Sequence, residues 1–143
     1  MKKLYFLAIL FLILAMFLTG CGVTPETEES KINSVIQEYF LALSNQDWDR
    51  ARNYCVIGSD FYFATVQLQN DIEGLLNTAK VSLYFIIEIL DTVIICDYAK
   101  VTLDGTMIII VDGIPDEYPI YGQTCSLQKI GNNWKMYSDL NGE

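Results

Sequence analysis

The sequence predicts an α+β domain in which helices come first and an antiparallel meander follows. Three observations point there. Apolar side chains recur at helical spacing between Ile32 and Leu43. From Val81 onward the chain changes to β-branched and aromatic runs. Turn residues, Asp104-Gly105 and Gly131-Asn132-Asn133, punctuate those runs.

The first helix is the clearest. Ile32, Val35, Ile36, Tyr39, Phe40 and Leu43 form one face, and Lys31, Ser34, Gln37, Glu38 and Ser44 fall mostly on the other. Ser30 is a candidate N-cap, with Thr24-Pro25 as an alternative start. Asn45-Gln46-Asp47 breaks the pattern. Asp47 can then cap a shorter helix that turns Trp48, Ala51, Tyr54 and Cys55 inward and Asp49, Arg50, Arg52 and Asn53 outward. Gly58-Ser59-Asp60 is the next break. Over 61–78, Leu68, Ile72, Leu75, Leu76 and Ala79 favour a third helix.

Two strands are expected at Val81–Leu90 and Thr92–Leu103, with Asp91 between them. Asp104-Gly105 reads as a hairpin turn. Met107–Val111 is a continuous aliphatic run, and Gly113-Ile114-Pro115-Asp116 reads as a loop. Tyr118–Lys129 reads as another strand, and a last one is centred on Trp134–Tyr137.

The start of the chain carries an address. Lys2 and Lys3 precede Leu4–Leu18, an uncharged run too short to span a bilayer with ease. Leu18-Thr19-Gly20-Cys21 closes the run with a small residue before cysteine, the form of a cleavable export signal. This tetrapeptide resembles the lipobox of bacterial lipoproteins. The resemblance implies cleavage after residue 20, lipidation of Cys21 by a thioether-linked diacylglycerol, and further acylation, commonly with palmitate. The expected organisation is a signal peptide over 1–20, a lipidated cysteine with an acidic tether over 21–30, and one α+β domain over 31–143. The implied location is the extracytoplasmic side of a cell membrane or outer membrane. Residues 22–30 reach at most ~30 Å when extended, so the domain would sit near the bilayer.

Without Lys2 and Lys3 the chain has seven basic and 18 acidic residues, a net charge of −11. So acidic a domain has no electrostatic reason to bind nucleic acid or an anionic bilayer surface. Attachment would therefore rest on the acyl chains. The chain has no histidine. That excludes Ser-His-Asp and Cys-His catalysis and histidine-ligated zinc.

Helix, short Asp47-Trp48-Asp49-Arg50-Ala51 helix, and a sheet ending in Lys129-Ile130-Gly131-Asn132-Asn133-Trp134-Lys135-Met136 stand in a telling order. Together with Ile32 through Leu43 they resemble the cone-shaped, cystatin-like fold of the nuclear transport factor 2-like superfamily. That resemblance implies a first helix packed in the concave face of a curved sheet. The superfamily includes isomerases, dehydratases and cyclases that place Asp, Tyr or His inside the cone, and members that only bind. Here no position matches such a catalytic motif closely enough to be carried over.

Asp97 is the carboxylate of most interest. Strict alternation would put it on one face with Val93, Ile95, Ala99, Val101 and Leu103, where burial would raise its pKa toward general acid–base use. The bland alternative is an exit to solvent or a salt bridge to Lys100 or Arg52. Tyr39 could donate into the same cavity, or could simply be a core aromatic. Glu88 reads as solvent-facing. Trp48 and Trp134 read as core. Tyr84, Tyr98, Tyr118 and Tyr121 could line a groove. Asp112, Asp116 and Glu117 lack the spacing of a calcium loop. Cys55, Cys96 and Cys125 allow three single disulfide pairings or none. The expectation is a non-enzymatic lipoprotein that binds a small ligand or an envelope protein, without cofactor or metal, and with a homodimer through the sheet as a further reading. An Asp97–Tyr39 lyase or isomerase is the alternative.

Overall fold

The computed structural model describes residues 26–139. The leader over 1–20, Cys21 and the tether through residue 25 lie outside the described residues. Helix α1 spans Glu28–Ser44, α2 Trp48–Asn53 and α3 Asp60–Leu76. Strands β1 (Val81–Ile95), β2 (Tyr98–Val111), β3 (Ile114–Ile130) and β4 (Asn133–Asp139) follow. They form one curved antiparallel sheet in sequential order, with the helices on its concave face. No described helix is long and apolar enough to cross a membrane.

Each helix starts where a side chain can satisfy an orphan N–H. Thr27, three residues before the expected Ser30, accepts from the Ser30 N–H at 3.1 Å and so caps α1. Asp47 caps α2 through the Arg50 N–H, as its position suggests. Ser59 caps α3 through the Tyr62 N–H. The chain leaves α1 with Gln46 at φ 55°, a left-handed conformation that ends the helix. The Gln46 Nε2 then donates to the Val81 carbonyl at 3.2 Å and ties this corner to the first strand.

The core follows the two periodicities. α1 contributes Ile32, Ile36, Tyr39, Ala42 and Leu43. The sheet answers with Leu83, Ala99, Val101, Leu103, Leu127 and Met136. Trp48 and Trp134 are buried, as expected of core aromatics. Ile36 is wholly buried, and truncating it to alanine would cost about 2–5 kcal/mol. Leu75 and Leu76, in the last turn of α3, are exposed.

Gly131-Asn132 joins β3 to β4 as expected, but the earlier turns of the sheet depart from the expected ones. β1 runs through Asp91 with a register shift between Ile89 and Asp91, and its hairpin turn is Cys96-Asp97, where Cys96 has φ 54°. Asp104-Gly105 is not a turn. It lies inside β2, where the pairing with β3 shifts register. A Cβ on Gly105 would stand 2.1 Å from the Ile86 carbonyl oxygen, so glycine is required by close backbone approach. The Asp104 carboxylate accepts from the Gly122 N–H at 2.6 Å across the same irregularity. The next hairpin turns on Asp112-Gly113, both at positive φ (50° and 85°). Ile114, Pro115 and Asp116, expected in a loop, are therefore strand residues paired with Val111, Ile110 and Ile109.

Candidate functional site

The interior between α1, α3 and the sheet is packed with side chains around Tyr39. Tyr39 projects from α1 and meets Thr65 of α3, hydroxyl to hydroxyl, at 2.9 Å. Thr65 donates its hydroxyl proton back to the Phe61 carbonyl at 2.7 Å. A hydroxyl has one proton, so Tyr39 is the donor in the pair. Phe40 and Phe61 stand edge-on to the Tyr39 ring at 5.1 and 5.7 Å. Burial pushes the Tyr39 phenol above its ordinary value. The Cys55 thiol touches the same cluster, donating to the Ala51 carbonyl at 3.5 Å, and burial pushes it up to about 11. The polar groups of this interior therefore bind one another, and both titratable ones are held neutral at physiological pH.

Asp97 does not join them. It occupies the exposed β1–β2 turn, where its carbonyl accepts from the Lys129 N–H at 2.7 Å. Alternation failed to place it because the strand ends at Ile95. The proposed Asp97–Tyr39 pair is thus not formed: Tyr39 is buried in the core and Asp97 faces water. Glu88 is exposed, as expected. Cys96 sits exposed at the same turn as Asp97, Cys55 and Cys125 are buried, and no disulfide forms among the three. Cys96, expected within a strand over Thr92–Leu103, lies in the turn between β1 and β2.

The other candidates separate in the same way. Tyr84 and Tyr98 lie on the outer sheet face, whereas Tyr118 pairs with Met107 on the inner side, so the tyrosines line no common groove. Asp112 accepts from the Lys80 N–H, while the neighbours Asp116 and Glu117 point to opposite faces of β3. No group of metal-ligating side chains occurs among the described residues.

What the sheet does present is an apolar outer surface. Tyr84, Ile86, Val93, Ile95 and Tyr98 alternate outward along β1 and β2, with Ile86 at 63% and Ile95 at 68% exposure. Tyr137 of β4 stacks edge-on to Tyr98 at 6.3 Å and extends the surface across the sheet. Shallow clefts of about 350 and 400 Å³ flank the Val56-Ile57-Gly58 loop, the first of them reaching Tyr137. Their cations are engaged: Arg52 binds Asp49 and Gln69, and Lys135 donates to the Asn53 carbonyl.

No protein-family model matches the sequence, and no curated protein matches it either. Solved structures do match in shape. A conserved protein from Planctomyces limnophilus superposes with a TM-score of 0.63 at 14% identity, covering 78% of this chain and 92% of its own. A candidate dehydratase of the nuclear transport factor 2-like family from Streptomyces avermitilis gives 0.60 at 10% identity, with 80% and 94% covered. A nuclear transport factor 2-like protein with a cystatin-like fold from Novosphingobium aromaticivorans gives 0.58 at 11% identity, with 81% and 84% covered. Likeness at such identities speaks to architecture and not to chemistry. The chain therefore has the cystatin-like cone fold of the nuclear transport factor 2-like proteins.

Proposed function

We propose that this chain is a lipid-anchored module of the cell envelope that holds a protein partner on its sheet, rather than an enzyme working inside the cone. The observation that carries the reading is the contrast between the two sheet faces. Around Tyr39 the inner face is filled by Phe40 and Phe61 beside a self-satisfied Tyr39–Thr65 bond, while Phe85, Ile87, Met107 and Ile109 farther along it are partly buried. The outer face leaves Tyr84, Ile86, Val93, Ile95 and Tyr98 in water. Exposed apolar clusters of that kind, here two patches parted by Glu88, Asp91 and Asp104, mark interaction sites on soluble domains. The lipobox-like Leu18-Thr19-Gly20-Cys21 supplies the anchor in this reading.

Native mass spectrometry of the full chain, purified in detergent from an export host, tests it. The expected spectrum shows the lipidated mass beginning at Cys21 and no small molecule released on denaturation. Cys21→Ser should move the protein from the detergent phase to the aqueous phase. A stoichiometric small molecule would instead return the function to the cone interior.

A further inference from the structure

The two edges of the sheet are built differently. Among the described residues β4 covers β3 from Cys125 to Ile130, and Ile114–Gln123 pairs with β2 alone. Pro115 and Pro119 lie on that edge, opposite Ile110 and Thr106. A proline keeps its place in a ladder only where its missing N–H would point away from the partner strand. Two outward positions therefore offer no donor, and Asp116 and Glu117 add charge. This edge is closed to a further strand.

β1 forms the other edge and contains no proline, lysine or arginine. Two bonds fix which of its backbone groups face outward. The Val81 carbonyl accepts from Gln46, and the Phe85 N–H donates to the Ser44 Oγ at 3.1 Å. In an antiparallel strand alternate residues turn their N–H and C=O the same way. Ile87 and Ile89 consequently point outward as well, and nothing among the described residues caps them. Alongside this bare stretch a groove of about 360 Å³ runs between α1 and β1, lined by Gln37, Phe40, Leu41, Ser44, Phe85 and Ile87. Leu41 is 49% exposed in its wall.

We propose that the β1 edge around Ile87–Ile89 takes up an extended, lysine- or arginine-bearing apolar segment of a partner protein as a fifth strand. The proposal rests on the protein-binding reading above and gives it a site. Alternate side chains of the added strand enter the Phe40–Leu41–Phe85–Ile87 groove, and the others run beside Ile86 on the outer face. Main-chain bonds to Ile87 and Ile89 supply register. Charge selects the occupant: the only ionised side chains of β1 are Glu88 and Asp91. A second copy would bring the same two carboxylates and a net charge of −9 or beyond, so a basic segment fits where a copy is repelled.

The test is hydrogen exchange on the full chain in detergent, with a capped synthetic peptide of about eight residues, a typical strand length, alternating lysine and valine. Exchange at the Ile87 and Ile89 amides should slow saturably, while the Phe85 amide, already bonded, changes little. Glu88→Lys keeps the fold and should weaken binding about tenfold at low ionic strength. Ile87→Pro copies the blocked edge and should abolish the slowing at Ile89. Unchanged exchange at Ile87 and Ile89 in the folded chain overturns the edge assignment. So does slow exchange before any peptide is added, together with a dimer mass, because a second copy then holds the edge. If the edge fails but Ile86→Asp still abolishes capture of a partner, the outer-face reading survives alone. A bound small molecule in the native spectrum would remove both.

Discussion

The Tyr39–Thr65 bond offers a sharp measurement because the Thr65 bond to the Phe61 carbonyl assigns its donor and acceptor. Tyr39→Phe removes the donor. Thr65 keeps its bond to the Phe61 carbonyl and loses only an acceptor contact, so the cost should be that of one neutral hydrogen bond, about 1 kcal/mol. Thr65→Val keeps the shape and removes the acceptor. It strands the Tyr39 O–H in a residue only 3% exposed, where an unpaired donor costs about 1–3 kcal/mol. Thr65→Val should therefore be the more damaging change. The double variant strands nothing and should cost less than the sum of the singles by about 1 kcal/mol. Urea unfolding followed by the fluorescence of buried Trp48 and Trp134 reads all four proteins, with the midpoint moving and the slope held. Equal single costs that add without coupling would refute the assignment of Tyr39 as donor and the closure of the cone by this pair.

Other expectations follow from single features. A maleimide should label Cys96 quickly at neutral pH and Cys55 only on unfolding, because Cys55 is buried with its thiol pushed up to about 11; peptide mapping after brief labelling checks this. Glu28 is held at about 2 against an ordinary 4.5, chiefly by Lys129, with Lys31 and the Trp134 indole assisting. Its folded value is depressed, so its stabilisation is complete above pH 4.5 and disappears as pH falls toward 2; acid titration of Glu28→Gln should lack that part of the loss. Gly105→Ala should destabilise by more than about 2 kcal/mol, since its Cβ would meet the Ile86 carbonyl oxygen at 2.1 Å. Gly74→Ala, in open space on α3, should stabilise by about 0.5–1 kcal/mol in thermal melts of the same series.

The helices were legible because caps and periodicity are local. Asp47 and the apolar face of α1 fulfil their sequence roles, and the third helix appears where Leu68 and Ile72 suggested it. The sheet was legible as a meander, and Gly131-Asn132 joins β3 to β4 where expected, but the earlier turns were not legible. Asp104-Gly105 carries the composition of a hairpin turn, yet its glycine answers a contact with Ile86, a residue of the neighbouring strand. Cys96-Asp97 turns the chain without any glycine, which no propensity argument anticipates. That one turn also removed Asp97 from the face that alternation gave it. Tyr39 was recognised as an interior group, while its partner Thr65 was not singled out, since a threonine within a weakly patterned helix looks like surface. The asymmetry between the edges had a readable trace, two prolines four residues apart in β3 and none in β1, but its meaning depends on strand order.

The grip on Glu28 has a consequence for how the domain is made. Its carboxylate accepts from Lys31 and Lys129 at 2.9 Å and from the Trp134 indole at 2.8 Å. Met136 bridges to Cys55 and donates to the Tyr54 carbonyl, and Ser138 donates to Asp60. The last described strand thus touches the first helix, the loop after the second and the start of the third. Closing loops of this length is entropically costly before any contact repays it. Full seating of the helical layer therefore waits for β4, and the described domain closes only when nearly all of its residues are available.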